Sequence, residues 1–180
     1  MTMELIKNNL YAIRLKGRKE ILRGIFLGSG VEWILLKYNP VDYVLDGYLL
    51  IRKKYIKNII REEKEKFKET VIRLKCNDTD FDITSPKLDE IIDTLYYLMQ
   101  HETVIQLEFH DESVCYIGKI RKIFNKTMRM LDLDTKGNWE NECSYQIEQI
   151  RTIQFDNDYT NSLDTYNKWL NRQIPNVDNK

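Results

Sequence analysis

The apolar pattern of this 180-residue chain occurs twice, and one constant displacement of 94 positions superimposes the copies without a gap. Gly24 then falls on Gly118, Ile13 on Leu107, Leu15 on Phe109, Phe26 on Ile120, Ile56 on Ile150 and Ile59 on Ile153. Interior positions match while surface identities diverge, as expected when a fold is duplicated and its exterior drifts. The duplication divides the chain into residues 1–75, a first small β-barrel repeat, and 76–180, a helix with a second repeat and a C-terminal helix.

Within the first copy, Tyr11 to Lys16 alternates as a half-buried strand and turns at Gly17-Arg18. Further strands are predicted over Ile21 to Leu27, Glu32 to Tyr38, Tyr48 to Arg52 and Ile56 to Ile60, separated by Gly28-Ser29-Gly30 and by a loop with Asn39-Pro40 and Asp46-Gly47. The second copy repeats the set: Ile105 to Phe109, Val114 to Ile123 with Gly118 as a bend, Thr127 to Leu133, the alternating Cys143, Tyr145 and Ile147, and Ile150 to Phe155. Five short strands in so little chain suit a small closed barrel, which removes exposed sheet edges.

Between the copies, Ser85-Pro86 has the form of an N-cap followed by proline at the first helical position. Leu88, Ile91, Ile92, Leu95, Tyr96 and Met99 follow at helical spacing, an apolar stripe expected to cover the open end of the second barrel. A second helix is expected from Asn161 to Leu170, with Leu163, Tyr166 and Leu170 inward and Trp169 on the flank. Glu62 to Glu69 reads as a solvated turn of helix or linker, and residues from Pro175 onward as a frayed end.

At 42% hydrophobic and 31% charged, the composition is that of a globular protein. No apolar run approaches the roughly 20 residues that cross a bilayer, and the first residues lack the features of a signal peptide. An intracellular, cytoplasmic protein with no membrane contact is the simplest expectation. Three cysteines without metal-ligand spacing agree: Cys115 and Cys143, opposite Ile21 and Leu49, are expected as small buried hydrophobes, and Cys76 as an exposed thiol. The formal charge of zero conceals opposite halves. Through Lys75 there are 17 Lys and Arg against 9 Asp and Glu, a net +8, and the remainder carries −8. Such fields can dock the halves on each other, drive head-to-tail self-association, or leave the basic half free for an anionic partner.

Gly118-Lys119-Ile120, Phe124-Asn125 and Met128-Arg129-Met130, together with Ile51-Arg52-Lys53 followed by Ile56 and Ile59, resemble the two motifs of the Sm and Sm-like family. The resemblance implies, for each copy, a strongly bent five-stranded barrel of the SH3-like kind, and a helix before the second copy fits it. It departs at the RNA-contacting positions. The family's asparagine corresponds to Arg129 and Leu35, its aspartate to Asn125 and Val31, and the glycine after arginine to Lys53; Gln146 stands opposite Arg52.

Arg52, Lys53, Lys54 and Lys57, joined by Lys16, Arg18, Lys19 and Arg23, form a basic cluster able to neutralise phosphates, and Tyr48 and Tyr55 offer stacking surfaces. The plain alternative is that the same cluster is a solvated turn. His101 and His110 are the only histidines, and nothing in the sequence pairs His110 with a nucleophile. Asp78, Asp80 and Asp82 begin like a calcium loop but lack the glycine and glutamate that would complete it. Tyr38, Tyr43 and Tyr48 surround one loop with the composition of a protein-binding surface. The expectation is therefore a mainly β chain of two tandem Sm-like or SH3-like barrels, non-enzymatic, without catalytic, cofactor or metal residues, that binds a protein partner as an adaptor or immunity-type protein. RNA binding by the basic first repeat is the alternative.

Overall fold

A computed structural model describes residues 4–76, 86–111 and 113–173. The chain is mixed α+β and mostly strand. The first half contains β1 (Leu10–Leu15), β2 (Ile21–Ser29), β3 (Trp33–Tyr38), β4 (Tyr48–Arg52), β5 (Ile56–Ile60) and helix α1 (Glu63–Lys75). Helix α2 (Ile91–Gln100) precedes β6 (Ile105–Glu108), β7 (Cys115–Ile123), β8 (Thr127–Leu133), β9 (Trp139–Gln146), β10 (Thr152–Phe155) and helix α3 (Asp158–Gln173). Short 3₁₀ turns, Lys53–Tyr55 and Ile147–Gln149, join β4 to β5 and β9 to β10.

All ten strands form one antiparallel sheet in the order β5-β1-β2-β3-β4-β10-β6-β7-β8-β9. The ladder reproduces the displacement of 94 residue by residue. Gly24 pairs with Tyr38 and Gly118 with Asp132; Ile13 pairs with Ile59 and Leu107 with Ile153; Leu36 pairs with Leu49 and Met130 with Cys143. Even the irregularity between Phe26 and Gly28 recurs between Ile120 and Lys122. The glycines carry a matching constraint. A Cβ on Gly24 would lie 2.5 Å from the Lys37 carbonyl, and one on Gly118 would overlap the carbonyl of Leu131, which the displacement equates with Lys37. Any side chain there would push the neighbouring strand away.

The ladder does not close on itself, contrary to the expectation of two closed barrels. The free side of β4 is taken by β10, in the register Ile51↔Thr152, Leu50↔Ile153, Leu49↔Gln154 and Tyr48↔Phe155, so one open sheet runs through both copies.

Burial explains why β3 and β4 read as unbroken apolar runs rather than alternating ones. One face, with Ile34, Leu36, Leu49 and Ile51, joins Ile13, Leu22 and Phe26 in a core belonging to the first half. The other face presents Trp33, Leu35 and Leu50 to a second core, which contains Leu95 and Leu98 of α2 with Leu107, Ile120, Met128, Met130 and Ile153. Leu35 and Leu36 of β3 and Leu49, Leu50 and Ile51 of β4 are therefore buried whichever face they take, which makes these runs continuously apolar.

The helices depart most from sequence expectation. Ser85 lies outside the described residues, and α2 begins at Ile91 rather than at Pro86. The preceding segment is instead held by the β2–β3 turn: the Leu88 carbonyl accepts the Glu32 and Trp33 N–H groups at 3.2 and 3.0 Å, and the Glu32 carboxylate accepts the Ile91 N–H at 2.9 Å. A remote carboxylate thus caps the helix. With that start, Ile91, Thr94, Leu95 and Leu98 face inward and Tyr96 is exposed. Of the two readings of residues 62–69, helix or linker, helix holds: Glu62 is the N-cap and residues 63–69 are the first turns of α1. Glu62 and Glu65 form a reciprocal capping box, and Ile72 packs on Leu10 and Ile25. Displaced by 94, α1 overlaps α3, so the repeated unit is five strands and a helix. In α3, Leu163 packs against Val104, Ile117 and Leu133, whereas Tyr166 is exposed and stacks on Trp169 instead of facing inward.

The cysteines are also corrected. Cys115 and Cys143 are exposed and Cys76 is half-buried. Cys143 lies on β9, which has no neighbour other than β8 among the described residues.

Candidate partner-binding surface

The seam between β4 and β10 gathers most of the basic cluster. Arg52, 96% buried, donates to the carbonyls of Ile147 (3.3 Å) and Glu148 (3.0 Å) and to the Glu148 carboxylate (3.1 Å); Glu32 stands 3.5 Å from the same guanidinium. Lys54 donates to the Glu148 carbonyl at 2.9 Å and pairs with its carboxylate, and the Tyr55 hydroxyl donates to that carbonyl at 3.0 Å. Lys53 reaches the Gly30 carbonyl at 2.8 Å, and Lys16 the Lys54 carbonyl at 2.9 Å. Hydrogen bonds from Lys54, with the charge of Arg52 beside it, hold the Glu148 carboxyl below its ordinary value of 4.5.

A second set of contacts lies deeper. Arg18 pairs with Glu108, both side chains nearly buried, and Glu108 also accepts the Thr152 hydroxyl at 2.8 Å. Burial disfavours the Arg18 charge, but the attraction and hydrogen bond of Glu108 outweigh it and raise its pKa. Arg151 donates to the carbonyls of Lys16 and His110 and lies 5.0 Å above the Tyr55 ring. Basic and acidic halves are thus joined by charge-assisted contacts across the seam.

Of the six candidate binding residues, Arg52, Lys53, Lys54 and Tyr55 make these intramolecular contacts. Tyr48 stacks on Phe155 at 5.3 Å with the Lys37 ammonium 4.2 Å from its ring. Lys57 stands exposed on β5. Arg23 lies 3.7 Å from Glu65. Leu35, at the position where the resembled family places its asparagine, is buried, and Arg129 lies near the Phe124 ring. Asp78, Asp80 and Asp82 lie outside the described residues.

A cleft of about 410 Å³ opens beside the seam, lined by Tyr55, Phe109, His110, Asp111, Gln149 and Arg151. The exposed thiol of Cys115 is pushed upward in pKa by partial burial and by Glu108, the opposite of an activated nucleophile. His101 packs on Tyr97, its Nδ1 2.8 Å from the Tyr97 carbonyl. No helix among the described residues is long and apolar enough to cross a membrane.

The surfaces left open are the two ends of the sheet. Among the described residues, β5 pairs only with β1, and β9 only with β8. On β9, Glu140 to Ser144 are all exposed, and Tyr145 turns inward to donate its hydroxyl to Asp132 at 2.6 Å. β5 is exposed at Lys57 and Asn58 and half-buried elsewhere.

Sequence reasoning overlooked Glu108 and Glu148, the carboxylates that engage the basic cluster, and Arg151, which donates to the Lys16 carbonyl. The only trace of the two carboxylates was the opposite charge of the two halves. Compared with protein-family models, curated proteins and solved structures, the chain matches none.

Proposed function

We propose that the chain is a non-enzymatic protein-binding protein, each half an Sm-like small barrel in topology, that recognises a partner by adding a strand to an open end of its sheet. The observation that carries this reading is β9, an eight-residue strand whose outer side is without a ladder partner among the described residues. An exposed edge offers a row of backbone donors and acceptors, and strand addition uses them for affinity while alternate side chains supply selectivity. The basic cluster is engaged at the seam, which favours a protein over an RNA partner for this surface.

The test is capture by the immobilised chain, with nuclease and protease treatments applied separately and Glu142→Lys as the comparison bait. The expected capture survives nuclease, is lost to protease, and falls with Glu142→Lys. Capture lost to nuclease and untouched by Glu142→Lys would instead establish the RNA alternative.

A further inference from the structure

We propose that two copies of the chain associate about a two-fold axis through the outer face of α3, with Trp169 of each copy seated between Asp158, Asn161, Ser162 and Thr165 of the other. This contact uses neither open strand.

The inner face of α3 is fixed by its own half. Leu163 packs on Val104, Ile117 and Leu133, the Asn167 amide donates to the Gly137 carbonyl at 2.9 Å and accepts the Trp139 indole N–H at 2.8 Å, and Asp164 meets Lys119 at 3.1 Å. At about 100° per residue, these contacts leave Asp158, Asn161, Ser162, Thr165 and Trp169 along the opposite side. All five are exposed. Trp169 is 52% exposed, and Tyr166, itself exposed, stacks on it at 5.8 Å. A large aromatic held at a fixed place in water is the kind of anchor that carries most of the energy of an interface.

The displacement of 94 shows how the fold treats this face elsewhere. On α1 the equivalent positions hold Lys64, Phe67, Lys68, Val71 and Lys75. There the loop between β3 and β4, residues 39–47, lies against the ridge: the Lys68 ammonium donates to the Asp42 carbonyl at 2.9 Å, that of Lys75 to the Tyr43 carbonyl at 3.2 Å, and the Tyr43 ring meets Phe67 edge-on at 6.3 Å. The corresponding loop of the second half, residues 134–138, is shorter and meets α3 at Asn167, on the inner side. Among the described residues, no aromatic from another element stands over the α3 ridge as Tyr43 stands over Phe67.

A second copy supplies one. Asp158, Asn161, Ser162 and Thr165 stand at i, i+3, i+4 and i+7, the four positions that form a hole for a knob from a facing helix, and with Tyr166 and Trp169 they line one depression. Knob and hole share one face about two turns apart, so an antiparallel pair with its axis near Thr165 fills both holes at once. Ser162 and Thr165 are small, which lets the helices approach where they cross. Charge fixes the direction. Asp158 in the first turn then lies opposite Arg172 in the last turn of the other copy, once on each side of the axis, whereas a parallel pair would set Asp158 beside Asp158 and Arg172 beside Arg172. The helix dipoles also oppose each other in the antiparallel pair. On α1 the same geometry would bring Lys64, Lys68 and Lys75 of two copies together, so α3 is the helix that pairs. An isologous contact closes at two chains. One helix pair makes a small interface, so the dimer forms and dissociates with concentration.

Sedimentation of the full chain tests this. The mass average is expected to rise from one chain towards two as concentration is raised to about 100 µM, by mass action. Trp169→Ala is expected to shift that transition to at least about ten-fold higher concentration while leaving the urea midpoint of the dilute chain unchanged. Asp158→Arg and Arg172→Asp are each expected to weaken association about ten-fold, and an equimolar mixture of the two to restore it, because the mixed pair regains both opposite-charge contacts. With Cys76→Ser, Cys115→Ser and Cys143→Ser in place, Thr165→Cys is expected to form a disulfide-linked dimer in air at least about ten-fold faster than Lys168→Cys, which is exposed but lies off the ridge. A chain monomeric at the highest concentration, association indifferent to Trp169→Ala, a mixture of the two charge variants no tighter than either alone, or linkage through residue 168 as fast as through 165 would each overturn the proposal.

Discussion

Strands β4 and β9 occupy the same place in the two copies, yet one is buried at four of its five residues and the other exposed at six of its eight. Leu49, Leu50 and Ile51 are at 0% exposure, while their counterparts Cys143 and Ser144 face solvent and only Tyr145 is buried. Each pairs with its preceding strand in the same register. The difference arises one strand further on, where β4 meets β10 and β9 meets nothing among the described residues. Position in a repeat sets how a strand folds; its neighbour sets which residues it can carry.

That comparison is open to attack by pairs of equivalent substitutions. The largest effect is expected at the seam. Glu108→Ala leaves the buried Arg18 without its carboxylate and should cost about 3–5 kcal/mol in urea unfolding, whereas the exposed counterpart Arg14→Ala should change stability by less than about 0.5 kcal/mol. Next comes the strand pair itself: Leu49→Ala should cost about 2–5 kcal/mol for the lost burial and the cavity, and Cys143→Ala, 94 positions on, less than about 0.5 kcal/mol. Equal losses at the two positions would mean that β9 is covered in solution. Amide exchange sharpens the point without mutation. Amides of β4 should be protected to the level of global unfolding, and those on the outer side of β9 should exchange quickly in dilute solution.

The smallest effect concerns pH. Glu148 is held below its ordinary value of 4.5 by Lys54 and Arg52, so its stabilising contribution is complete above that value and is lost as pH falls through the lower folded value. The group is largely exposed, so the contribution is modest and screened by salt. Glu148→Gln should therefore narrow the drop in urea midpoint between about pH 6 and about pH 3. An unchanged drop would remove Glu148 from the account of the seam.

Much of the local structure was legible in the residues. The boundaries of β4, β5 and β8 follow from apolar runs and turn residues, and the equivalence of Gly24 with Gly118 follows from one displacement. Helix starts were not legible, because the cap of α2 is Glu32, more than fifty residues earlier, and no local rule points to it. The surface of α1 misled for a similar reason: Glu69 looks solvated, yet its carboxylate accepts the Leu10 N–H at 2.7 Å and meets Arg61 at 2.7 Å, so polar groups do the packing that apolar ones usually do. The candidate site was legible only in part. Arg52, Lys53 and Lys54 stand out as a cluster, but the carboxylate and carbonyl groups of Glu148 that engage them lie over ninety residues away.

By itself the chain of residues determined the duplication, the strands and the opposed charge of the two halves, because these rest on periodicity and composition, which act over a few neighbours. Tertiary structure alone decided that β10 would add to β4, that the basic cluster would face the acidic half, and that β5 and β9 would be left at the ends. Those outcomes depend on contacts between residues distant in sequence, where identical local patterns in two copies met different neighbours.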